Sequence, residues 1–85
     1  MDSWNNFWSN RFNRNIEITF HLYQRIEQRL ITINMIINAI ENGIYVEDID
    51  KDGEPRLKFL LKGVIVILHK KPGNIWRVLT AFYDV

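Results

Sequence analysis

The chain has 85 residues, a net charge of +1 and no cysteine, with 47% hydrophobic residues. This length gives one domain, residues 1–85, that buries only ~60–65% of the surface its unfolded form exposes. The composition excludes disulfides, thiolate metal sites and a cysteine nucleophile, and no apolar run reaches the ~18–20 residues that cross a bilayer.

Residues 1–15 are rich in Asn, Ser and aromatics and show no clean period. They are read as an N-terminal arm, with Trp4, Phe7, Trp8 and Phe12 on one stripe of a helical turn packed on the body of the domain. The segment lacks a basic stretch followed by an apolar one, so it is not read as a signal peptide. Ile16-Glu17-Ile18-Thr19 alternates and reads as a short extended segment opening a core over residues 16–83. Thr19 is placed as the N-cap of a helix reaching about Arg29. Thr32 caps a second helix, Ile33 to Asn42, with Ile33, Ile36, Ile37 and Ile40 on one face. Asn42-Gly43 is expected to end it in a left-handed C-cap.

From Ile44 onward the signals are those of strands. Ile44–Ile49, Arg56–Leu61, Val64–His69 and Ile75–Tyr83 are separated by turn residues at Asp50–Gly53, Lys62-Gly63 and Lys71–Asn74. The predicted fold is α+β: two N-terminal helices packed on a four-stranded antiparallel meander. Acids concentrate between Glu41 and Glu54, whereas Arg56 to Arg77 carries six cations and no acid. An acidic edge and a basic face are expected, and a basic face suits RNA.

On the first helix His21, Arg25 and Arg29 follow one another at four-residue spacing and share a face. Imidazole titrates near neutral pH, and guanidinium forks match phosphate oxygens. The triplet can therefore hold a phosphate and move a proton. The alternative is that His21 packs near the helix start while the arginines pair with Glu17, Glu27 or the acidic edge. Thr80 either holds a phosphate oxygen or fills its strand. Lys58, Lys62 and Arg77 are candidate phosphate contacts or solvated sheet residues. His69 is read as surface or hydrogen-bonded filler, and Trp76 as core. Two histidines far apart in sequence give no metal-ligand pattern, and Asp48–Gly53 lacks full calcium-loop spacing.

His21-x3-Arg25-x3-Arg29, the short break, the helix ending at Asn42-Gly43, the strands and the segment Val78–Tyr83 together resemble a group of small bacterial domains of unknown function. The resemblance covers about residues 16–83. That group looks like a branch of the superfamily of barnase, EndoU nucleases, RNase colicins and RelE-type toxins. The resemblance implies metal-independent cleavage of RNA, such as tRNA or mRNA, by 2′-OH attack, with no cofactor. It implies a bacterial toxin or toxin-derived domain acting in the cytoplasm, free or delivered within a larger secreted protein, and countered by a cognate antitoxin or immunity protein. No membrane partner is implied. His21, Arg25, Arg29 and Thr80 would be the catalytic residues, with Lys58, Lys62, Arg77 and Tyr83 in substrate binding. Relatives often read Thr-x-Tyr where this chain has Thr80-Ala81-Phe82, and Tyr83 comes one residue late. In a regular strand Tyr83 points away from the face of Thr80. A non-catalytic RNA- or protein-binding module on the same fold is the other reading.

Overall fold

In a computed structural model, which describes residues 3–71, 73 and 75–84 with side chains from residue 6 onward, two threonines start the two helices. Thr19 Oγ1 accepts the Leu22 N–H at the start of α1 (Phe20–Gln28), as the sequence predicts. Thr32 Oγ1 accepts the Met35 N–H at the start of α2 (Ile33–Asn42), and the Thr32 N–H donates to Met35 Sδ. Helix α1 buries Leu22 and Ile26, and α2 buries Ile36, Ala39 and Ile40. Both apolar stripes face the same side of one sheet.

That sheet has six strands, which corrects the predicted four-stranded antiparallel one. The strands are β1 (Ser3–Ser9), β2 (Arg14–Thr19), β3 (Ile44–Ile49), β4 (Pro55–Leu61), β5 (Val64–Lys70) and β6 (Trp76–Tyr83). Their spatial order is β1-β2-β6-β5-β4-β3. The meander from β3 to β6 is present as predicted, but β1 and β2 form a hairpin ahead of the helices and extend it. β2 joins β6 in parallel through Ile16–Trp76 and Glu17–Arg77, so the sheet is mixed.

The predicted helical stripe in residues 1–15 is therefore a strand and a turn. Phe7 pairs with Ile16 and shares its core-facing side, whereas Trp8 lies on the other face and is 53% exposed. The Trp4 side chain lies outside the described residues. Phe12, in the turn, stacks edge-on against Phe59 and Tyr45. The turn is tied down from α2. Glu41 accepts the Ser9 hydroxyl and the Asn10 N–H, both at 2.6 Å.

Helix ends also depart from expectation. Gly43 is extended (φ −77°, ψ 165°), not left-handed. Its role is close approach, because a Cβ there would lie 2.5 Å from the Ala39 carbonyl oxygen and 2.8 Å from that of Leu60. The left-handed position is instead Leu30, at φ 59°. The Leu30 N–H bonds the Glu27 carbonyl and the Ile31 N–H bonds that of Ile26, a Schellman closure that glycine usually completes. Ile31 and Ile26 are both buried, which supplies its apolar contact.

The core lies between the helices and one face of the sheet, around Ile16, Phe59, Val66, Leu68 and Val78. On β6 a bulge opposite Ile67 and Leu68 inserts Leu79 as an extra residue. Thr80 and Phe82 thereby face away from the helices, opposite Ile67 and Ile65.

Two substitutions test these helix ends by chemical denaturation. Gly43→Ala is expected to lower stability by about 1–3 kcal/mol through overpacking. Leu30→Gly is expected to raise it by up to about 1 kcal/mol, because relief of the left-handed strain outweighs the entropy of glycine.

Candidate functional site

Helix α1 sets the first part of the site. With 3.6 residues per turn, each four-residue step rotates the stripe by about 40° and advances it about 6 Å. Arg29, three residues after buried Ile26, therefore lies beside the core, and His21 lies farthest from it. His21 and Arg25 are exposed, and among the described residues neither side chain makes a hydrogen bond or ion pair. The alternative in which Arg25 pairs with Glu17, Glu27 or the acidic edge does not occur among the described residues.

Arg29 is engaged differently. Its Nη1 donates to the Ala81 carbonyl at 2.8 Å and to Thr80 Oγ1 at 3.3 Å. The Tyr83 hydroxyl donates to the Leu30 carbonyl at 2.9 Å. The reason is the sheet edge. β2 pairs with β6 only at Trp76 and Arg77, so the rest of β6 has no strand on that side. The end of α1 covers it, with Arg29 and Tyr83 as the polar links. Arg29, Thr80 and Tyr83 thus come together at one place, and Arg25 and His21 continue along the helix from it.

The other predicted contacts do not join them. By register Lys58 lies on the sheet face away from the helices, opposite Ile67. Lys62 sits in the β4–β5 turn at φ 52°. Arg77 is bound to Glu17, with Nε at 3.0 Å and Nη2 at 2.9 Å from Oε1. The expected basic face is largely neutralised in the same way. Arg56 pairs with Asp48 at 2.9 Å, and Lys70 with Glu47 at 3.6 Å.

The open sheet face carries a constellation that the strand-by-strand reading missed. Register places Asp48, Arg56, His69, Arg77 and Glu17 in one row across five strands. His69 stands between two arginines, each held by an outer carboxylate. Its Nε2 lies 3.7 Å from Asp50 Oδ2, and Nε2 and the Arg56 Nε are buried without a hydrogen-bond partner among the described residues. Backbone N–H groups of Glu54 and Asp52 hold the Asp50 carboxyl below its ordinary value, helped by His69 and Arg56. Asp48 is lowered by the Ile49 N–H and by Arg56. One signal was available in the sequence. A two-residue turn at Lys62-Gly63 pairs Leu61 with Val64 and therefore Arg56 with His69.

Two clefts of about 400 and 370 Å³ flank α1 on its other side, lined by Phe20, Tyr23 and Gln28 in the first and Tyr23, Thr32 and Asn34 in the second. His21, Arg25 and Arg29 line neither. Comparison with protein families, curated proteins and solved structures finds no match. No cluster of three metal-ligating side chains occurs among the described residues, and no helix there is long and apolar enough to cross a membrane.

The geometry separates support from availability along the stripe. Arg29→Ala is expected to destabilise the fold by about 1–2 kcal/mol, since it uncovers a bonded carbonyl. His21→Ala and Arg25→Ala are expected to stay within about 0.5 kcal/mol of the parent. Urea unfolding of the three variants checks this.

Proposed function

We propose that this chain is a metal-independent ribonuclease, a bacterial toxin or toxin-derived domain that cleaves RNA by attack of the 2′-OH on the adjacent phosphodiester. The observation that carries the proposal is the state of the α1 stripe. His21 and Arg25 are exposed and bound to nothing among the described residues, while Arg29 fixes the end of the stripe to Thr80 and Ala81. An imidazole and a guanidinium left without a partner on a clamped helix are available to a phosphate.

In this reading His21 takes the proton of the 2′-OH as its oxygen bonds to phosphorus. The bond to the 5′-oxygen then breaks, a 2′,3′-cyclic phosphate forms, and the imidazolium or a water molecule protonates the leaving oxygen. Arg25 binds a non-bridging oxygen, whose negative charge grows in the transition state. Arg29 still has Nε and Nη2 free for a second oxygen, and Thr80 holds it in place. Arg77 and Tyr83 are taken up by Glu17 and Leu30, so they leave the proposed substrate set. tRNA or mRNA would be the substrate, the cytoplasm the place of action, and an antitoxin or immunity protein the partner that covers the stripe.

A specific observation favours the second reading, a non-catalytic RNA- or protein-binding module. The Tyr83 hydroxyl donates its hydrogen bond to the Leu30 carbonyl, so the stripe offers His21 alone rather than an acid and a base. One assay decides between them. Purified protein is incubated with end-labelled RNA in chelator, and products are resolved on a denaturing gel. The ribonuclease reading expects cyclic-phosphate fragments, lost by about 10²-fold or more in His21→Ala and reduced in Arg25→Ala. Intact RNA bound with a steep salt dependence supports the binding module. Intact, unbound RNA overturns both RNA readings.

A further inference from the structure

The outer edge of the sheet is unguarded. Among the described residues β3 has β4 on one side and no strand on the other, and all six of its residues are exposed. Ile44 is 76% exposed, Ile49 64% and Val46 57%. The helices pack on the other strands, and β3 projects beyond them. The strand contains no proline and no bulge, two of the devices that stop an edge from pairing, and its charges are confined to one end, at Glu47 and Asp48. We propose that β3 pairs antiparallel with β3 of a second copy of this chain, joining two six-stranded sheets into one continuous sheet about a two-fold axis.

Charge along the strand identifies the occupant as a second copy. At the N-terminal end of β3, the Arg11 guanidinium lies 4.6 Å from the centre of the Tyr45 ring and donates to the Gly43 carbonyl at 2.7 Å. The nearby Glu41 carboxylate is turned to Ser9 and to the Asn10 and Arg11 N–H groups, and no carboxylate among the described residues pairs with Arg11. The C-terminal end carries Glu47 and Asp48, whose carboxylates also meet Lys70 at 3.6 Å and Arg56 at 2.9 Å, and leads into Asp50 and Asp52. The Glu47 side chain is 76% exposed. A two-fold axis normal to the sheet sets the basic end of each strand against the acidic end of the other, twice. Such an isologous contact is closed and self-complementary.

The pleat, the acids and Arg11 together favour one register. A continuous sheet requires opposed residues to share a face, so residues of equal parity must meet. Val46 on the axis places Tyr45 opposite Glu47 and Ile44 opposite Asp48, and no carboxylate faces another. A shift that puts Glu47 on the axis sets Glu47 against Glu47. In the favoured register the partner's Glu47 lies beside Tyr45, within reach of the Arg11 stacked on that ring, and both lie on the helix side of the sheet.

Cross-linking tests the register and the assembly together. Val46→Cys on the axis places two Cα atoms ~4.5–5.5 Å apart, within disulfide range. The expected result is a rapid symmetric disulfide dimer under mild oxidation, with Leu79→Cys, equally exposed on β6, remaining monomeric as the collision control. Sedimentation equilibrium of the unmodified chain is expected to show a dimer, and Val46→Lys a folded monomer by circular dichroism. Glu47→Arg, which keeps the strand and sets like charges at Arg11, is expected to weaken the dimer roughly tenfold or more. A chain that stays monomeric at all concentrations overturns the proposal. So does cross-linking at Leu79 as fast as at Val46, which would put the interface on the sheet face instead.

Discussion

Two residue pairs join the N-terminal hairpin to the meander within the sheet. Ile16 beside Trp76 and Glu17 beside Arg77 are the whole parallel contact between β2 and β6, one apolar and buried, the other an ion pair on the open face. Their shortness shapes the rest. Because β2 ends at Thr19 and turns straight into α1, the helix runs past the part of β6 that β2 leaves bare. The free carbonyl of Ala81 then needs a donor, and Arg29 is the side chain that reaches it. The same geometry keeps Arg25 and His21 off the core and open to solvent.

The elements that the sequence made legible are those written locally. Thr19 and Thr32 mark both helix starts, Lys62-Gly63 marks a hairpin with two left-handed residues, and β-branched runs mark the strands between. The N-terminal hairpin was not legible, because its aromatics do not alternate cleanly and its turn is held by Glu41, some thirty residues away. The parallel pairing was invisible for the same reason: nothing within β2 or β6 specifies it. Gly43 and Leu30 mislead as a pair. Glycine usually signals a left-handed turn, yet here it makes room for two carbonyls, and a leucine takes the left-handed seat because the Ile26–Ile31 contact closes around it.

The candidate site divides along similar lines. Four-residue spacing is enough to align His21, Arg25 and Arg29, so the stripe is legible in the chain itself. Which member of it is spoken for is not, since the partner of Arg29 lies on a strand more than fifty residues later. The expected basic face failed on nonlocal grounds too. An acid-free stretch in the chain is not an acid-free surface when Asp48, Glu47 and Glu17 arrive from neighbouring strands.

The carboxylate of Glu41 has a bearing on the order in which the molecule assembles. Its oxygens hold the turn between β1 and β2, and it sits at the end of α2. That turn finds its ligand only after the chain has traversed both helices and α2 has docked on the sheet. Local bonds, from the Asn13 N–H to the Ser9 carbonyl and from the Phe12 N–H to the Ser9 hydroxyl, shape the turn, and Glu41 adds a link that requires a long loop closure. The strands that come first in the sequence are thus fixed in part by a side chain that comes after both helices.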